Sequence, residues 1–210
     1  MDYNQIVLAA KAYADRNDIE VNANIDNFIL LAEAKINRVL KTAGQSKRVY
    51  TASLDDREFY TLPDEYNGMR TIHFNSGSVN SDNSDTIQMH YITPEQVVDM
   101  QQNAQYGDKL YFTILNNQVQ VVPCLPSGGT IEMVFYRKVP NLSATNTENW
   151  ASIDHPDIYI SAITAEIELF AKNYDAATLW NSRLLSCIDE IDNNDVDNRW
   201  AGNTMTIKVG

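Results

Sequence analysis

Cysteine is scarce in this chain, with two in 210 residues. Cys124 and Cys187 cannot make a disulfide framework, so a reducing compartment is the expected setting. Basic residues are also few. Sixteen Lys and Arg stand against 28 Asp and Glu, a net charge of −12. A protein that grips nucleic acid carries a basic face, because phosphate contacts dominate affinity. The short cluster of Lys41, Lys47 and Arg48 does not make one: Lys41 suits a negative helix C-terminus, and the others read as solvated. The acidity repels DNA and argues against DNA held tightly, without excluding DNA nearby. Long apolar runs are missing as well. A stretch such as Phe28–Ala32 is far short of the ~18 residues a membrane span needs, so no membrane association is expected. Asp2 and Asn4 stand where the basic region of a secretory leader would be, so none is expected.

Hydrophobic residues make up 44% of the chain and charged residues 21%, enough apolar surface for a packed core. Asn4–Arg16 reads as a helix, Asp18–Asn22 as a polar break, and Asn24–Ala43 as a second helix. In the second, Ile25, Phe28, Ile29, Ala32, Ile36, Val39 and Leu40 recur at three and four, while Glu33, Lys35, Arg38 and Lys41 point elsewhere. Gly44 stands where a left-handed cap belongs. From Arg48 the period becomes two. Val49–Ser53 and Phe59–Leu62 read as a hairpin closed near Asp55-Asp56. Short strands are expected over Met69–Phe74 and Ile87–Ile92, with an exposed loop over Asn75–Asp85 between them. Thr93, Pro94 and Gln96 open a short helix to about Asn103. Lys109–Leu115 and Gln118–Val122 form a hairpin turning at Asn116-Asn117, and Thr130–Lys138 is a further strand.

After a connector holding Trp150, two helices are expected: Pro156–Asn173, and Asp175 to about Asn193, where a run of Asn and Asp ends it. Their short link makes them antiparallel neighbours. Thr204–Val209 alternates like a strand with no hairpin partner. The expected fold is therefore α+β. Two N-terminal and two C-terminal helices form an antiparallel bundle, with an inserted antiparallel β subdomain and an extended C-terminal arm. The boundaries fall at 1–47, 48–140, 141–193 and 194–210. Phe28, Ile36, Trp150, Tyr159, Phe170 and Trp180 are expected in the bundle core.

The chain offers little chemistry. His155-Pro156-Asp157 spells a co-chaperone tripeptide, but the segment before it lacks the basic helix of that family, and a proline-led helix start explains it. Asn193-x-Asp195-x-Asp197 begins like a calcium loop, yet Asn198 and Thr204 replace the required glycine and glutamate. His73, His90 and His155 have no ligand spacing, and Cys124 and Cys187 read as packing. Glu166 and Glu168 face different directions on one helix. There is no glycine-rich phosphate loop and no G-x-S-x-G. No catalytic residue, metal or cofactor is expected.

One ordered set of residues remains. Phe135-Tyr136 ends a strand, followed by Val139-Pro140-Asn141-Leu142, Asn149-Trp150 and Pro156-Asp157-Ile158-Tyr159. Ala162, Glu166 and Phe170 then lie along one helix, with Asp175 and Trp180 on the next. Upstream stand Ala32-Glu33, Ile36-Asn37-Arg38 and Leu62-Pro63. Over roughly residues 20–190 this resembles the head-to-tail adaptor (connector) proteins of short-tailed double-stranded-DNA bacteriophages. Ile158 and Ile160 stand where leucine is usual, and the tail beyond Asn194 matches less well.

The resemblance implies a structural virion protein rather than an enzyme, assembled in the host cytoplasm and sited at the head–tail junction. It implies a ring, typically of twelve copies, that binds the portal, presents a platform to tail nozzle or fibre proteins, and lets DNA through its channel without specific binding. It also implies a C-terminal arm that docks on the portal, here Trp200, Met205, Ile207 and Val209. The alternatives are another tail subunit, suggested by the β-rich middle, and a cell-wall glycan hydrolase built from two of the 28 acids.

Overall fold

The computed structural model describes residues 1–55, 57–76, 85–103 and 106–200, with side chains to residue 195. The chain is α+β and divides into two compact units, Met1–Gly44 with Val139–Gly210, and Gln45–Lys138.

The first unit contains α1 (Tyr3–Tyr13), α2 (Ile19–Val39), α4 (Trp150–Asp154), α5 (Pro156–Phe170) and α6 (Tyr174–Trp200). Asp2 caps α1 through a reciprocal pair with Gln5. Asp18 caps α2 by accepting the Val21 N–H at 2.9 Å, so that helix starts inside the stretch expected to be a break. Helix α5 is apolar nearly all round, with Ile158, Tyr159, Ala162, Ile163 and Ile167 buried, and such a helix belongs in a core. It packs on α1, α2, α4 and α6. Each isoleucine so buried contributes about 2 kcal/mol. Lys172, at φ 60°, turns the chain between α5 and α6.

Three expectations here need correction. Helix α2 ends at Val39, and Gly44 lies in the 3₁₀ turn Ala43–Gln45 instead of a left-handed cap. The connector forms the short helix α4, opened by Asn149 and Ser152 capping each other. Helix α6 runs through Asn193, Asn194, Asp195, Asp197 and Asn198 to Trp200, so residues 194–200 are not an extended arm. Asn and Asp cost only about 0.7 kcal/mol each in a helix, and the Asp195 carboxylate is engaged by the Ala43 N–H at 3.0 Å. The calcium-loop alternative therefore falls on helical backbone.

The second unit carries β1 (Ser46–Ala52), β2 (Phe59–Thr61), β3 (Tyr66–Asn75), β4 (Thr86–Tyr91), α3 (Pro94–Asn103), β5 (Leu110–Leu115), β6 (Gln118–Val122) and β7 (Thr130–Arg137). The seven strands make one sheet in the order β1-β7-β3-β4-β5-β6-β2. It curls so that Ile72, Phe74, Ile131, Met133 and Phe135 meet Tyr60, Leu62, Val119 and Val121 in one core.

The expected hairpin of β1 with β2 does not form. These strands are the two edges of the sheet: β1 pairs with β7, and β2 with β6. The intervening segment is tied to the Pro126–Gly129 turn instead. Ser53 Oγ donates to the Pro126 carbonyl at 2.7 Å and accepts the Gly129 N–H at 3.0 Å, and Asp55 accepts the Ser127 N–H at 2.6 Å. The sheet is also not wholly antiparallel. Helix α3 carries the chain back between β4 and β5, which are therefore parallel. The β5–β6 hairpin turns at Asn116 and Asn117 as expected, with φ 53° and 58°. Asn117→Gly is expected to raise stability by roughly 0.5 kcal/mol, read as a higher thermal midpoint, because glycine adopts this φ without strain.

Candidate assembly site

Among the described residues no group of three or more His, Cys, Asp or Glu could hold a metal ion. His73 lies in β3, His90 in β4, and His155 precedes α5. The Cys187 thiol is pushed up to about 11, first by burial and then by its hydrogen bond to Asp157, so it is a thiol rather than a nucleophile at neutral pH. Cys124 is exposed, with Glu58 Oε1 3.9 Å from its sulfur.

What the first unit does contain is a polar clamp inside its core. Glu33 on α2, expected to point away from the apolar stripe, is 4% exposed. Its Oε1 accepts the Leu142 N–H at 2.6 Å and the Tyr159 hydroxyl at 3.0 Å. That hydroxyl accepts from Asn149 Nδ2 at 2.8 Å, and the same amide nitrogen donates to the Pro140 carbonyl at 2.7 Å. One turn along α2, Asn37 Oδ1 accepts the Val139 N–H at 2.7 Å. Together these bonds seat the segment from Val139 to Asn149 onto helices α2 and α5. Burial pushes the Glu33 carboxyl above the usual range, and its two hydrogen bonds only partly oppose this. Desolvation and the facing carboxylate push the Tyr159 phenol up, so it stays a donor.

These residues are among those that carry the resemblance. Glu33, Asn37, Val139, Pro140, Leu142, Asn149 and Tyr159 are far apart in sequence and meet along one seam of α2. The readable signal for Glu33 is its spacing: it lies four residues after Ile29 and three before Ile36, on the buried stripe.

The six residues expected in the core differ in burial. Phe28, Ile36 and Tyr159 are buried together, and Trp150 packs on them partly exposed. Trp180 is half-buried, its ring 5.3 Å from that of Tyr13 at a steep angle. Phe170 needs correction: it is 45% exposed and covers Phe28 from the rim, ring centres 5.3 Å apart. Trp200 is the last residue of α6, and Met205, Ile207 and Val209 lie outside the described residues.

Large apolar side chains are also exposed, among them Leu179, which the α6 periodicity already sets apart from the apolar stripe of Trp180, Leu184, Cys187, Ile188 and Ile191. Ile19, Leu8, Leu179, Tyr174 and Leu30 stand largely in solvent on the helical unit.

The comparisons with known proteins agree. A family model for the SU10 adaptor protein matches residues 1–207, so the chain belongs to the SU10 adaptor protein family. It is a structural phage adaptor and not an enzyme. No curated protein sequence matches the chain.

Proposed function

We propose that this protein sits at the head–tail junction of the virion. There it forms a ring, of twelve copies, between the portal and the tail nozzle or fibre proteins, and extends the DNA channel. The family match over nearly the whole chain is the observation that carries this reading. Helices α1, α2, α5 and α6 act as the bundle, with the β unit as its insertion. The net charge of −12 suits a channel through which DNA slides without sticking. The apolar residues exposed on the helices suit a protein that is buried in an assembly. Trp200, Met205, Ile207 and Val209 lie at or beyond the end of α6 and are read as the portal-docking arm. Single short arms bind weakly, and a ring of them gains by linkage, roughly 10²–10⁴ for each joined event.

Deleting residues 203–210 is expected to abolish retention on purified portal while leaving the thermal unfolding of the free protein unchanged. Full retention by the truncated chain would end the arm reading. Quantitative mass spectrometry of purified virions is expected to give about twelve copies per particle, as a closed ring at a single vertex requires. Hundreds of copies, or none, would remove the protein from the junction.

A further inference from the structure

Two surfaces of opposite character stand out beyond the clamp. On β1, β7 and β3 the side chains alternate. Val49, Met133 and Ile72 line the core side, and Arg48 opposite Val134, Tyr50 opposite Glu132 and Ser46 opposite Tyr136 lie on the other. Arg70 lies over the Tyr136 ring, 5.3 Å from its centre, and donates to Ser46 Oγ. Arg48 bonds Glu132 at 2.9 Å yet stays 62% exposed. Two arginines and two tyrosines thus share an open sheet face with one carboxylate. Arg and Tyr are the side chains that dominate protein interfaces.

The second surface is the outer stripe of α6. Asp175, Leu179, Ser186 and Glu190 recur on the side opposite the buried Ala177, Leu184 and Ile188. Leu179 is 69% exposed. Arg183 is on this side as well, over the Trp180 ring at 5.2 Å, and the exposed Asp175, Asp189 and Glu190 outnumber it, so the face is acidic.

We propose that the sheet face around Arg48, Tyr50, Arg70 and Tyr136 of one copy docks on the acidic α6 stripe, Asp175 to Glu190, of a second copy. This rests on the ring reading above. A ring contact is heterologous, so it needs two different and complementary patches on the same chain. Copies carrying −12 each repel, and a cationic patch set against an anionic one makes contact attractive at one place. The dimensions match: seven residues of β1 extend about 23 Å, and the α6 stripe about 22 Å. The exposed Leu179 supplies apolar area for the tyrosines.

The test uses the full chain on purified portal, with rings counted by native mass spectrometry. Arg48→Glu with Arg70→Glu is expected to reduce complete rings at least tenfold. Adding Asp175→Arg and Glu190→Arg to the same chain is expected to restore them. Arg48→Gln with Arg70→Gln, which removes the charge without reversing it, is expected to give an intermediate loss. Circular dichroism and thermal unfolding of each free variant separate misfolding from lost contact. Wild-type ring yield from the folded glutamate variant would overturn the contact and leave the ring reading intact. Failure of the second pair to restore rings would overturn it too. So would loss, in the same variant, of wild-type binding to a single-stranded oligonucleotide, since the face would then serve nucleic acid. A wild-type chain that forms no ring on portal would overturn the ring reading and the contact together.

Discussion

Glu33→Ala is expected to destabilise the helical unit by on the order of 3 kcal/mol. The substitution strips the acceptor from the buried Leu142 N–H and from the Tyr159 hydroxyl, and each orphaned donor costs about 1–3 kcal/mol. Hydrogen exchange should rise first at Val139–Leu142 and in α4, where the returning segment is held. Glu33→Gln is expected to behave differently, because it keeps an oxygen in place. The contrast depends on pH. Burial raises the folded carboxyl above the ordinary value of 4.5, so its contribution is full below that value and is lost as pH rises through the folded pKa. Glutamine does not titrate. The variant should therefore gain on wild type from mildly acidic to neutral pH, ending within about 1 kcal/mol of it or above. If Glu33→Gln is as damaging as Glu33→Ala at neutral pH, the ionised charge itself holds the connector and this account is wrong.

Gly129→Ala should destabilise the sheet unit by roughly 3 kcal/mol. A Cβ at this position would lie 2.4 Å from Phe74 Cε2 and 2.7 Å from the Asn75 carbonyl oxygen. The phenyl ring is core and the carbonyl is backbone, so neither can retreat without opening β3 from β7. Gly68→Ala in the same pair of strands is the control. Its Cβ would meet only Tyr136 at 3.9 Å, and a change within about 0.5 kcal/mol is expected. Denaturant midpoints together with exchange rates of the β3 and β7 amides check both. Equal effects from the two variants would show that glycine flexibility, and not the close approach at Gly129, matters here.

The α2 stripe, the proline-led start of α5, the Thr93–Gln96 opening of α3 and the Asn116-Asn117 turn are all legible in the amino-acid sequence. Each depends on neighbours within a few residues, so local geometry suffices to read it. The expected β1–β2 hairpin fails for the complementary reason. Strand periodicity says which face is buried, but it does not name the partner. In the folded chain the segment after β1 is held by Ser53 and Asp55 bonds to a turn more than 70 residues away, contacts that no local pattern encodes. The end of α6 is misread because Asn and Asp oppose a helix only weakly, and the Ala43 N–H that engages Asp195 lies far away in the sequence.

The clamp lies between these cases. Its members are visible as an ordered set, and their role is not. A glutamate on an apolar stripe reads as solvated until something is known to cover it. What covers it is a segment over a hundred residues away, whose backbone N–H groups need acceptors.

By itself, then, the sequence determined the α+β composition, the helical stripes and the acidic character, since these follow from periodicity and charge count. Tertiary structure alone decided strand order, the burial of Glu33, the exposure of Phe170, and the gathering of two arginines and two tyrosines on one sheet face. Each of these depends on which distant parts of the chain meet, and hydrophobic patterning carries no record of that.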